Sequence, residues 1–540
     1  MLVSGVITQL MIVLDMTVIA IALPKMQTDL GMTSDQRPWV VTAYTLAFGG
    51  LVLFGGRLTG VMGIRWAYRV GLVGFALSSL VAGLAPSFAV LVTARAVQGA
   101  FGALLAPTVL ALINATFTEP TGRTRAMGIL GATGGLGAAV GLMVGGVLTD
   151  TLNWRWCLYV NVGIAAIALL VSARSLPRTQ RSTTTRITDD MLGLISGCAA
   201  IFSIVYGLNQ AQEHDWTSHS TIAWLVAGGV LAVLFVLREW RAHVPVLPLW
   251  IMTHPARGAS YTVQFLSGAA QMGAFLYLTY YFQDYLGYSP LKSGVYFLPM
   301  VGALIITAIV GGRILIPRLG AKGMYPLGLA VQAVAFFLFS RMTVDSTYTQ
   351  VALPSLIVYG IGVGLTLPMT FNAGTRDVPE NKSGLASAVL NASQQIGSSF
   401  GIALLATYAT QLINDYIRDN QASATANATK ALIAAGAPQN SPTGQRIISQ
   451  LREQFTAHAQ LHAYSGGFTL LVWILGTAAV LLLIAGVTFA VVVRSRRRGQ
   501  RTPVSAEPVT TEFPAAPAEP TTVEFAAAPT ALSAPPSAEK

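Results

Sequence analysis

Asp15 stands about twelve residues into the first long apolar run, and at ~1.5 Å of helical rise per residue that depth is close to mid-bilayer. It is the one carboxylate of Leu14-Asp-Met-Thr-Val-Ile-Ala-Ile-Ala-Leu-Pro24. An isolated carboxylate at a helix centre costs ~3 kcal/mol on insertion scales, so it normally faces a bundle interior or a wet cavity and marks an ion or substrate path. Two roles suit it: carrying a proton, or bonding a neighbouring helix.

Arg95, in the fourth apolar run, is the second charge at depth. The alternation of helices puts it about 10 Å from the outer face, against about 15 Å for Asp15, so the two can meet. A guanidinium stabilises an ionised carboxylate while desolvation penalises it, and an acid held between these loads and releases a proton as the local geometry changes. Gln98, at i+3, shares the face of Arg95 and can hold either that residue or a substrate. The alternative for Arg95 is a structural bond to backbone carbonyls of another helix.

Such residues need a membrane scaffold to position them, and the composition provides one. Of 540 residues, 53% are hydrophobic and only 10% charged, with 53 glycines, and mean hydropathy is +0.59. A soluble core cannot absorb that much apolar surface. The net charge of +11 is spread through short loops between apolar runs, the pattern that orients membrane helices and not one that binds nucleic acid. Runs long enough to span occur near residues 3–24, 38–58, 67–86, 88–114, 126–149, 155–174, 190–210, 221–237, 258–280, 292–314, 324–341, 350–371, 383–408 and 465–493. The first lacks a basic lead-in and is too long for a signal peptide, so it is expected to be retained. Lys and Arg concentrate in the even-numbered connections and after the last run, which places both termini in the cytoplasm. Arg494, Arg496, Arg497, Arg498 and Arg501 form the strongest anchor, able also to touch anionic lipid.

An internal repeat sets the architecture. Ala132-Thr-Gly-Gly-Leu-Gly-Ala-Ala-Val-Gly141 matches Ala392-Ser-Gln-Gln-Ile-Gly-Ser-Ser-Phe-Gly401. Gly55-Gly56-Arg57 with Gly63 and Arg65 is echoed, at nearly the same offset, by Gly311-Gly312-Arg313 with Gly320 and Lys322. Each pair maps a run onto the one eight later, so the halves run parallel. The expectation is an all-α membrane protein of fourteen transmembrane helices, two parallel six-helix halves plus an inserted helix pair. Its parts are the N-terminal half at 1–174, helices 7 and 8 at 175–257, the C-terminal half at 258–493, and a basic anchor with a disordered cytoplasmic tail at 494–540. The long connection 409–464 falls outside the cell. There Ile447, Leu451 and Phe455 share one face, fitting either a short amphipathic helix over the outer mouth or a loose surface loop.

Gly137, Gly141 and Gly145 recur every fourth residue beside Gly146, giving a smooth stripe on the fifth run. Its echo at Gly397 and Gly401 suggests a moving seam between the halves, with static packing as the alternative. Gly56, Arg57, Gly63 and Arg65 form a cytoplasmic turn whose cations can bond helix C-terminal carbonyls and latch one state shut. In the second half, Gln264, Gln271, Asn391, Gln394 and Gln395 are sparse polar groups, with Tyr277, Tyr280 and Tyr281 at an outer end. That lining suits amphipathic or cationic organic molecules better than sugars; the aromatics also fit an interfacial belt.

Several chemistries are set aside. No G-x-x-x-x-G-K-[ST] occurs, so ATP hydrolysis is not the energy source. His458 and His462 have i, i+4 spacing but Ala459 where a metalloprotease needs Glu. Cys157 and Cys198 both fall in apolar runs and give neither a disulfide framework nor a metal site. Neither an enzyme active site nor a cofactor is expected.

Taken in order, these motifs resemble the major facilitator superfamily, and within it the fourteen-span drug:proton antiporter branch of multidrug and antibiotic-resistance exporters. Leu14–Pro24 resembles that branch's first-helix motif, which implies a proton-coupling role for Asp15. Arg95-Ala-Val-Gln-Gly99 resembles its fourth-helix motif, which implies proton transfer at Arg95, with Gln98 and Gly99. Gly141-Leu-Met-Val-Gly-Gly146, Asn153-Trp-Arg-Trp156 and Asn161 resemble the fifth-helix antiporter motif and the start of the sixth helix. Asp190-Met-Leu-Gly193 and Gly287-Tyr-Ser-Pro-Leu291 also fit. The chain departs from the pattern at Gly60 (usually Asp), Ile64 (usually Arg), Leu142 (usually Pro) and Gly163 (often Pro). The resemblance implies a monomer in the cytoplasmic membrane that exchanges protons for small amphipathic molecules. A proton-coupled importer on the same fold, and a non-transporting membrane sensor, are the other readings.

Overall fold

A backbone in lipid satisfies its polar groups by closing hydrogen bonds within each segment, and the regular elements among the described residues are all helical. The computed structural model describes residues 1–33, 36–37, 39–117, 119–173, 190–214, 216–242, 245–343 and 346–499. The expected tail after residue 500 and the side chains of Arg494 to Arg498 lie outside these.

The helices are α1 (Leu2–Asp29), α2 (Trp39–Met62), α3 (Ile64–Gly83), α4 (Phe88–Thr116), α5 (Pro120–Thr151), α6 (Trp156–Ala173), α7 (Met191–His214), α8 (His219–Arg241), a single turn α9 (Trp250–Thr253), α10 (Pro255–Tyr280), α11 (Pro290–Phe339), α12 (Leu353–Gly374), α13 (Glu380–Ala434) and α14 (Pro442–Gly499). The chain divides into two units, Met1–Val487 and Thr488–Lys540. Every predicted apolar run falls on helix, with α11 carrying two of them either side of Gly320. Eleven helices among the described residues are long and apolar enough to cross a membrane, and Gly323–Phe339 is a shorter apolar helix. Large apolar side chains face outward, Leu170 76%, Trp240 74% and Leu192 70% exposed, which suits a surface covered by lipid tails.

Within α1–α6, α1 packs on α4, α5 and α6, while α3 packs on α4 and α6 and α2 on α4. Within α10–α13, α10 packs on α12 and α13, and α11 on α12. The pair α7–α8 packs on itself and against α2 and α13, and the two sets join where α5 meets α11 and α12 and where α13 meets α2 and α4. The sequence repeat reappears in geometry. Gly63 between α2 and α3 has φ 80° and its echo Gly320 has φ 59°, a left-handed conformation that glycine adopts without steric cost.

Two expectations are corrected. The glycine stripe does not lie between the two sets. A methyl at Gly137, Gly141 or Gly145 would meet Val13, Thr17 or Val18 of α1, and one at Gly397 or Gly401 would meet the backbone of Phe265 or Ala269 in α10. Missing side chains let each glycine helix press on a neighbour in its own set, while Gly146 meets nothing within 4 Å. The connection 409–464 is neither a loose loop nor a short cap: α13 and α14 extend through it as a long helical hairpin. Tyr416 and Phe455 pack across it with ring centroids 5.7 Å apart, and Ile447, Leu451 and Phe455 are half-buried on its inner face.

Candidate functional site: a buried acid among five helices

Asp15 is fully buried, near the middle of α1. Its Oδ2 accepts from Arg95 Nη1 at 2.6 Å. Its Oδ1 accepts from Gln98 Nε2 at 2.8 Å and from Asn161 Nδ2 at 2.6 Å. Three donors on one carboxylate satisfy most of the hydration it lost, and hydrogen bonds to an ion are roughly twice as strong as neutral ones. The polar network offsets the cost of placing an ion at this depth.

A second layer fixes the donors. Arg95 Nε donates to the carbonyl of Val40 at 3.2 Å, its Nη1 also donates to Gln98 Oε1 at 2.8 Å, and the guanidinium lies 4.5 Å over the ring of Tyr44. Ser79 of α3 receives Gln98 at 3.2 Å and Asn161 at 3.1 Å, and donates to the carbonyl of Leu158 at 3.0 Å. Thus α1, α2, α3, α4 and α6 converge on one carboxylate. Two glycines permit it: a methyl at Gly99 would strike the Tyr44 carbonyl, and one at Gly141 would strike Thr17 Oγ1 and approach the Leu14 carbonyl beside the acid.

Among the described residues, three buried polar atoms around the acid have no hydrogen-bond partner: Arg95 Nη2, Asn161 Oδ1 and Tyr44 Oη. They are the slack in the network. A protonated Asp15 has an O–H to donate and cannot keep both N–H donors on the oxygen that carries it. Turning the Asn161 amide over would bring its Oδ1 to face the carboxyl, a second donor–acceptor arrangement reached by rotating one side chain.

Of the expected site residues, Asp15, Arg95 and Gln98 come together, and Gln98 serves the acid instead of lining a substrate cavity. Gln264 is buried on α10, while Gln271, Asn391 and Gln394 are half-buried on α10 and α13, two helices that pack together. Asn391 spends its Nδ2 on the Ser387 carbonyl at 2.8 Å. Tyr277 and Tyr281 are core residues, 3% and 1% exposed, donating to the carbonyls of Leu405 at 2.5 Å and Ser346 at 3.0 Å. Tyr280 alone of the three is open, 41% exposed. A groove of about 560 Å³ lies between α3 and α4, lined by Leu77, Val81, Val97 and Phe101 among others; this apolar, outward face is separate from the acid.

The expected latch residues divide. Gly56 of α2 sits against Gly384 and Ala388 of α13, Gly63 forms the turn, and Arg57 is buried. Arg65 keeps a buried Nε without a hydrogen-bond partner among the described residues. Close by in the fold, Arg123 donates to the Asn372 carbonyl at 3.2 Å and to Thr375 Oγ1 at 3.3 Å, and Thr375 donates to Asn114 at 3.4 Å. These contacts tie the ends of α2, α4 and α5 to those of α12 and α13. Ser79 and Tyr44 were not singled out from sequence: a serine or tyrosine in an apolar run carries no signal until its neighbours are known. Asn161 carries one, as the polar amide inside the apolar sixth run.

The family model described as Major Facilitator Superfamily matches residues 5–402. The puromycin resistance protein pur8 of Streptomyces alboniger is 43% identical over 415 residues, 76% of this chain and 82% of that protein. The cephamycin export protein CmcT of Amycolatopsis lactamdurans is 37% identical over 402 residues, 74% of this chain and 82% of that one. Among solved structures, the proton:xylose symporter XylE superposes with a TM-score of 0.54 at 13% identity, covering 89% of this chain and 94% of that one, a likeness of fold.

Proposed function

Since the chain belongs to the major facilitator superfamily, we propose that it exports amphipathic drugs or antibiotics across the cytoplasmic membrane in exchange for protons, without chemically converting them. The observation that carries this reading is the buried Asp15, held by Arg95, Gln98 and Asn161, with unpartnered polar atoms around it. An acid with no exposed surface exchanges a proton only when the helices around it move, which is what couples proton passage to a conformational change. The names of the relatives, a puromycin resistance protein and a cephamycin export protein, support export of antibiotic-like molecules.

Alternating access follows by rocking α1–α6 against α10–α14. With both termini in the cytoplasm, the joined ends of α2, α4, α5, α12 and α13 face inward, which supports an inward-closed conformation. Candidate substrate contacts are Gln264, Gln271, Asn391 and Gln394, on the paired helices α10 and α13. Protein reconstituted as a monomer in liposomes tests the proposal: a proton gradient should drive accumulation of a cationic amphiphile against its own gradient, and proton-driven uptake in the opposite direction would identify an importer instead.

A further inference from the structure

Asp190, just before α7, and Glu239, near the end of α8, are buried acids that the Asp15 network does not use. The Asp190 side chain has no exposed surface and Glu239 is 3% exposed. Asp190 Oδ1 is well served, accepting from the Gly193 amide and from Arg238 Nε, each at 3.0 Å. Glu239 Oε2 accepts from the Leu247 amide at 3.0 Å. The remaining oxygen of each, Asp190 Oδ2 and Glu239 Oε1, is buried with no hydrogen-bond partner among the described residues. Both face one small space above Gly193, where a methyl group would touch the two oxygens at once.

Two ionised carboxylates cannot face each other there without donors: each would lose its hydration and repel the other. One proton resolves both problems by turning the facing oxygens into a short charge-assisted O–H···O bond. We propose that Asp190 and Glu239 share one proton, making a second proton-binding site at the junction of α7, α8 and α2. The proton sits on Glu239 and is donated to Asp190 Oδ2, because Asp190 already faces a guanidinium and the Gly193 amide while Glu239 is met by the backbone amides of Leu247 and Val246. Arg57 of α2 acts electrostatically on Glu239, adding positive charge at the same junction. Asp189, the preceding residue, lies outside the described ones. A hard cation fits poorly, since the two guanidinium groups already supply positive charge and among the described residues no third acidic or histidine ligand joins the pair.

Infrared spectroscopy of the full chain in lipid nanodiscs at neutral pH tests this independently of transport. In an Asp15→Asn background, a protonated-carboxyl C=O band should be present, should shift with carboxyl-13C glutamate labelling, and should disappear in both Glu239→Gln and Asp190→Asn, where the new amide donates to the surviving carboxylate. The proposal is overturned if the band is absent, if it shifts only with aspartate labelling, or if it survives Asp190→Asn, which would mean a lone buried acid. Should either variant fail to fold, the isotope shift in the parent protein and the other variant still decide.

Discussion

Asn161 donates to Asp15 Oδ1 across 2.6 Å while its own buried Oδ1 has no hydrogen-bond partner among the described residues. The amide is therefore positioned to stabilise the ionised acid in one orientation and the protonated acid in the other. Replacing it by Leu removes a donor to the carboxylate and leaves that oxygen short of a partner. In Asn161→Leu, proton-driven transport should fall at least about tenfold, whereas Asn161→Gln should stay nearer wild type. Initial rates in proteoliposomes measure it; an unchanged rate in Asn161→Leu would confine the residue to packing.

The Asp15–Arg95 pair makes a prediction about stability. Removing one member leaves the other buried and uncompensated, a loss of about 3–5 kcal/mol, whereas removing both costs less than the sum because no orphan charge remains. Melting temperatures in detergent for Asp15→Asn, Arg95→Met and the double variant should show this non-additivity. Simple additivity would mean that the two charges do not share their energy in the membrane-solubilised protein.

Glycine positions should separate sharply. Gly141→Ala drives a methyl into Thr17 and towards the Leu14 carbonyl, displacing the segment of α1 that carries Asp15, and should cut transport at least about tenfold, the effect of roughly 1.4 kcal/mol on the limiting step. Gly146→Ala, with nothing within 4 Å, should transport like wild type. Equal effects from the two would place the sensitivity in the flexibility of α5 and not in its contact with α1.

The α2–α13 contact offers a test of rocking. A methyl at Gly56 would lie 2.7 Å from Ala388 Cβ and 2.8 Å from the Gly384 carbonyl, so paired cysteines here reach disulfide geometry once α2 and α13 part by about 1 Å. Gly56→Cys with Ala388→Cys, in a background lacking Cys157 and Cys198, should cross-link under mild oxidation and stop transport, with recovery on reduction. Full activity in the cross-linked protein would mean that these ends do not separate during turnover.

Much of this was legible before any coordinates. The apolar runs fall on helix because lipid leaves the backbone no other solution, and Asp15 and Arg95 announce themselves because a charge in such a run is expensive. The Gly63 and Gly320 correspondence was visible too, since only a backbone requirement repeats a glycine at matching places. What escaped depends on which face of a helix meets which neighbour. The α5 stripe identified a close approach without saying that α1 was the partner, and Tyr277 read as a cavity or belt residue until Leu405 appeared as its acceptor. The 409–464 hairpin was missed because its two helices are mostly polar and stabilise each other along a narrow apolar seam, a weak periodic signal.

The measurement that reaches the centre of the account is proton-driven ethidium movement in proteoliposomes, comparing wild type with Asp15→Asn after both are shown to be monodisperse and folded. With an imposed gradient, wild type should accumulate the dye against its own concentration and move protons in the opposite direction, and Asp15→Asn should lose gradient-driven accumulation while still exchanging dye down its gradient. Undiminished gradient-driven accumulation by Asp15→Asn would contradict the account and move proton coupling away from the buried acid.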